Sequence, residues 1–194
     1  MSHVVRSAAR PATRPAAQWG MLILIASEGA LFAAMLASYF YLSVYARAWP
    51  LPGDPKPALV TPIVLAAILA LTSVPMQLAS VAARERRLAP TRIFLLVALA
   101  VQAAYLAWQL HDFRDQLDAM TATHDAYSSI YYTLLGADHA HVFVGLLFDL
   151  WLLAKLVRGL TTYRANATQA IVWYWHFVNV LTIVVLATLL SARA

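Results

Sequence analysis

The chain has 194 residues, of which 62% are hydrophobic and 12% charged, about half the charged share of an ordinary soluble domain. With a mean hydropathy of +0.67 and only 6 glycines, a water-soluble fold is excluded and one compact membrane domain of long helices is the simplest reading. Cysteine is absent, which excludes a disulfide, a thiolate zinc or copper site, an iron–sulfur cluster and a thioether-linked haem. The net charge of +5 comes from basic residues placed between apolar runs, so it reads as a topology signal and not as a nucleic-acid footprint.

Residues 1–17, with Arg6, Arg10, Arg14, Pro11 and Pro15, have no apolar run of their own and read as a flexible basic arm, followed by a membrane domain over 18–194. About 20 apolar residues cross a bilayer. By that measure five spans are expected: Trp19–Tyr45, Ala58–Val81, Thr91–Leu110, Ser128–Leu156 and Ala170–Ser191. The runs are continuous and rich in Ala and Leu, unlike the short alternating strands of a barrel, so the fold should be all-α.

The connectors differ in character. WPLPGDPKP at 49–57 reads as a proline-stiffened turn. ARERRLAP at 83–90 is short and basic. HDFRDQLDAMTATHDAY at 111–127 is acidic and reads either as a solvated loop or as a face that steers a basic electron carrier. Basic residues cluster on the arm, on the second connector and at Lys155, Arg158 and Arg164, placing the N-terminus in the cytoplasm and the C-terminus outside.

An ionisable group inside a bilayer costs roughly 2.5 kcal/mol or more and usually faces a helix, a cavity or a partner. Glu28 lies roughly 14 Å into the first span, and Asp138, His139, His141 and His176 fall at overlapping depths at 1.5 Å per residue. On a helical wheel Asp138, His141, Gly145 and Asp149 lie within about 80°, with His139 about 100° from Asp138. This polar stripe, with a glycine that admits a close neighbour, fits a helix–helix seam or a proton-exchanging pocket. Glu28 fits a neutral, hydrogen-bonded carboxyl, a proton-loading site or a lipid-headgroup contact. His141 and His176 are also chemically adequate as haem ligands. Spans two and three carry little polarity beyond Thr72, Ser73, Gln77, Gln102 and Gln109.

Three segments together resemble subunit III of the haem–copper terminal oxidases. Trp19-Gly20 followed by IASEGALFAAMLASYFYL resembles that family's first shared helix, with Glu28 on its intramembrane carboxylate. DAYSSIYYTLLG at 125–136 and VWYWHFVNVLTIVVL at 172–186 resemble the start of its histidine helix and its closing helix. Two departures stand out. The family's H-G-x-H-V is Asp138-His139-Ala140-His141-Val142 here, so that of its two histidines only the second, His141, is matched, and its closing aspartate is Asn179.

The resemblance implies the five-helix form of the subunit in a bacterial inner membrane. It also implies no metal or redox centre in this chain, with haem and copper held by the catalytic subunit I and by subunit II. Bound phospholipid, protection of subunit I during turnover, and help with proton uptake or oxygen access follow from the same likeness. Glu28, Asp138, His141, Asp149 and His176 are then polar-seam, proton-associated or lipid-associated positions. Other readings stay open: subunit III of a quinol oxidase, the related subunit of a nitric oxide reductase, a b-type cytochrome, or a small ion carrier.

Overall fold

A computed structural model describes residues 15–50 and 60–192. Most of the basic arm and most of the proline-rich connector lie outside the described residues. The chain forms α1 (Ala16–Tyr45), α2 (Val60–Leu71), α3 (Ser73–Arg84), α4 (Leu88–Ala119), α5 (Ala126–Leu156) and α6 (Thr162–Ser191), with no strand among the described residues. α2 and α3 are two segments of one span, and among the described residues five helices in all are long and apolar enough to cross a membrane.

The second span breaks at Thr72 because Pro75 has no N–H to offer the Leu71 carbonyl. The Thr72 hydroxyl back-bonds to the Leu69 carbonyl at 2.6 Å, and Ser73 starts the next segment. Two helices differ from the sequence expectation. α6 begins at Thr162, where Thr161 caps the Arg164 amide, eight residues before the apolar run. α4 continues nine residues past Leu110, so the expected acidic loop is helical as far as Ala119. Hydropathy marks membrane thickness, whereas the helix ends where its hydrogen bonds end. The added turns are held by i,i+4 pairs, His111 with Asp115 at 3.1 Å and Gln116 with Asp112 at 2.5 Å. α5 then opens on a capping box, with Asp125 accepting from the Ser128 amide and Ser128 Oγ accepting from the Asp125 amide.

α6 is the central helix, packed against α1, α2, α3 and α5, while α4 packs against α2, α3 and α5 but not against α6. α1 lies at the side on α5 and α6 and buries only Gln18, Phe32 and Tyr39. The core has two parts. One, around Leu69, Met76, Leu95, Leu152, Tyr174 and Trp175, is mostly aliphatic. The other, at the α4–α5 turn, is aromatic, with edge-to-face contacts running Tyr39–Trp49–Tyr127 and Phe113–Tyr132–Tyr131.

Candidate functional site: a polar seam through the bundle

α1 and α5 bring Glu28 and His141 together, with Glu28 Oε2 3.1 Å from His141 Nε2. His141 Nδ1 lies 2.7 Å from the Ala137 carbonyl, which can only accept, so Nδ1 carries a hydrogen. Nε2 of a neutral ring is then an acceptor, and the bond to Glu28 needs a protonated carboxyl; the alternative is a carboxylate with an imidazolium. Either way one proton lies between the two side chains. Phe32 sets its edge on the imidazole at 5.0 Å, and the Tyr174 hydroxyl of α6 donates to the His141 carbonyl at 2.8 Å. The pair is not sealed: the side chains keep 14% (His141) and 27% (Glu28) of their exposure on the flank of α1.

The other stripe residues turn to different neighbours. Asp138 accepts from Thr182 Oγ1 of α6 at 2.8 Å. Asp149 accepts from Trp175 Nε1 at 2.9 Å. With its amide turned so that both groups are satisfied, Gln102 of α4 also donates to Asp149 Oδ2, at 3.0 Å. Gly145 lies directly beneath the Trp175 ring, where a Cβ would come within 2.6 Å of Cζ2. Gly145 thus leaves a gap on α5 that receives an indole. His139, on the side of α5 toward α4, stacks edge-on to Phe113 at 5.6 Å.

The ionisable groups that overlap in depth do not all come together. His176 faces α3, with Nδ1 3.3 Å from Ser73 Oγ and Nε2 3.4 Å from Gln77 Oε1. The nitrogens of His141 and His176 are thus engaged with different helices. Among the described residues no group of three or more His, Cys, Asp or Glu comes together to hold a metal.

The second and third spans contribute more to the seam than their few polar residues suggest. The break at Thr72 presents Ser73 Oγ to Asn179 Nδ2 at 2.7 Å, and Gln102 supplies the second donor to Asp149. A signal was available, since isolated Ser and Gln residues in apolar runs need partners, but it names no partner. Ser73→Ala is expected to lower the thermal midpoint of the assembled protein, because orphaning the buried Asn179 amide costs about 1–3 kcal/mol. Ser73→Thr keeps the hydroxyl and should stay close to wild type.

Fold and site define a polytopic helical membrane protein whose buried polar side chains bond helix to helix. A family model described as cytochrome c oxidase subunit III matches residues 5–190. A probable cytochrome c oxidase subunit 3 of Nocardia farcinica is 28% identical over 177 residues, covering 90% of this chain and 87% of that protein. The cytochrome c oxidase subunit 3 of Synechocystis is 28% identical over 168 residues, 86% of this chain and 71% of that one. The cytochrome bo(3) ubiquinol oxidase subunit 3 of Pseudomonas aeruginosa is 27% identical over 171 residues, 86% of this chain and 80% of its own length. The chain belongs to the cytochrome c oxidase subunit III family.

Proposed function

We propose that this chain is a non-catalytic accessory subunit of a bacterial respiratory oxidase, seated in the inner membrane with its N-terminus in the cytoplasm. It is held against catalytic subunit I, with subunit II nearby, and protects subunit I during turnover. Haem and copper belong to those partners, and the electron donor is cytochrome c rather than quinol. The observation that carries this reading is the engagement of Glu28, Asp138, His141, Asp149 and His176 by side chains of neighbouring helices, which favours a scaffold over a redox site.

Lipid binding is part of the same proposal. A groove with about 340 Å³ of space, lined by Met21, Phe148, Trp151 and Ile171, runs between α1, α5 and α6. Lys155 lies 5.8 Å over the Trp151 ring at its rim. An acyl chain fits the apolar walls, and the ammonium suits a phosphate headgroup.

The test is purification through a tag on this chain. A haem–copper catalytic subunit that oxidises reduced cytochrome c should accompany it, and the chain stripped of partners should show no Soret band. Deletion should leave an oxidase that reduces oxygen at first and loses activity progressively. An undiminished turnover lifetime would sink the protective role, and a quinol-oxidising or nitric-oxide-reducing partner would reassign the complex.

Glu28→Gln separates the roles open to the Glu28–His141 pair. The glutamine amide still donates to Nε2 of the neutral ring, so assembly should be unchanged. If the pair exchanges protons with the oxidase, turnover should slow toward alkaline pH; an unchanged pH profile assigns it to structure.

A further inference from the structure

The bundle is not closed between α4 and α6. These helices do not pack on each other, and toward the α4–α5 turn a cavity with about 40 Å³ of water-accessible space separates them. A single water needs roughly 10–15 Å³ on this measure. The wall supplied by α2 and α6 is largely apolar, with Ala66, Val185 and Leu189. The facing wall is polar: Tyr105, Gln109, Asp112 and Gln116 recur along one face of α4.

Asp112 and Gln116 are half-buried at one end of this stripe, and Tyr105 lies about 10 Å beyond Asp112 along the helix. There the wall is completed by Asp138 and His139 of α5, 2% and 5% exposed. His139 Nε2 is buried with no hydrogen-bond partner among the described residues, the kind of orphan that an internal water satisfies. Positions 138 and 139 are also where this chain departs from the H-G-x-H-V pattern.

We propose that this cavity is a hydrated proton-exchange site, in which water links the Asp138 carboxyl and the His139 imidazole to the protein surface at Asp112 and Gln116. The step is one protonation. An Asp138 oxygen takes a proton from a cavity water, and that water is reprotonated through its neighbours from the surface. Among the described residues, few titratable groups face the site. α4 supplies Tyr105, bonded to Gln109, and Asp112, bonded to Gln116. α5 supplies Tyr131, whose hydroxyl donates to Gln116 at 2.7 Å, and, one turn from Asp138, His141, held by Glu28 of α1. α6 contributes Thr182, and the α2 lining, Pro62 and Ala66, titrates nothing.

The cysteine-free chain suits thiol labelling within the whole oxidase complex. His139→Cys, and Leu135→Cys on the same cavity wall, are treated with a small charged methanethiosulfonate, and the modified chain is read by mass. Val142→Cys, fully buried outside the cavity, is the control. Both cavity cysteines should react at least about tenfold faster than the control, since thiol reactivity follows access to water. Rates equal to the control, as for a dry or lipid-filled cavity, overturn the proposal. Infrared titration of the intact complex then reads the proton: a protonated-carboxyl band that changes with pH should vanish in Asp138→Asn. A spectrum in which Asp138→Asn removes no pH-dependent band overturns proton exchange at Asp138. Neither readout depends on oxidase activity, so failure here is distinguishable from failure of the accessory-subunit reading.

Discussion

Gly145→Ala is expected to destabilise the subunit more than a methyl added at Gly20, Gly29 or Gly136. The new Cβ would lie 2.6 Å from Trp175 Cζ2 and 2.9 Å from Cε2. The indole cannot retreat, because Trp175 is 0% exposed and its Nε1 is tied to Asp149 at 2.9 Å. Forcing a methyl into such a contact costs about 1–3 kcal/mol, and Gly145→Val should abolish incorporation into the complex. The measurement is the thermal midpoint of the assembled complex together with the amount of this chain it retains. Gly136→Ala, on the same helix, meets nothing within 4 Å and should leave both unchanged. Adding Trp175→Phe to Gly145→Ala should recover part of the loss, because the smaller ring vacates the contacted region. Equal midpoints for Gly145→Ala and Gly136→Ala would show that α5 and α6 do not approach through this glycine.

Asp149→Ala is the second large effect. Asp149 is 0% exposed and its Oδ2 accepts from both Trp175 and Gln102. Removing it orphans two donors far from water, each costing about 1–3 kcal/mol, and leaves a small void besides. Asp149→Asn retains an acceptor oxygen for the indole and should lose no more than about 1 kcal/mol, the net worth of one hydrogen bond. A double-mutant cycle of Asp149→Ala with Trp175→Phe measures the coupling directly. Because asparagine keeps the shape of the side chain, Asp149→Asn falling as far as Asp149→Ala would locate the loss in the carboxylate's acceptor bonds to Trp175 and Gln102; Asp149→Ala falling alone locates it in the volume and acceptor oxygen that asparagine retains.

The two substitutions act on neighbouring parts of one device. The wheel projection puts Gly145 and Asp149 on the same face of α5, one turn apart, and the structure fills that interval with Trp175. The glycine gives the indole room and the carboxyl fixes its rotation. Ser73 serves α6 in a similar way from the other side, holding Asn179. The central helix is thus pinned by polar bonds on two flanks. This suits a membrane interior, where lipid is as apolar as leucine and burial alone does little to choose among packings.

Much of this was legible before any tertiary contact was known. Apolar run length located all five spans, because the cost of an unpaired backbone in hydrocarbon leaves only helices to cross it. Helical periodicity also put Asp138, His141, Gly145 and Asp149 on one stripe, and insertion cost marked Glu28 as a residue in need of a partner. Helix ends were less legible. Asp112, Asp115 and Gln116 look like a loop by hydropathy, yet α4 runs through them to Ala119.

The pairing itself was decided only by the tertiary structure. A wheel shows which residues of one helix share a face; it does not say which helix that face meets. His141 joins Glu28 while Asp138, one turn away, joins Thr182, and His176 turns to Ser73. These choices follow from where α1, α3 and α6 lie around α5, and from the opening left between α4 and α6. Sequence settles which segments cross the membrane and which residues must be satisfied there, because those are local costs. The partners are set by non-local packing, which joins residues more than a hundred positions apart, such as Glu28 and His141.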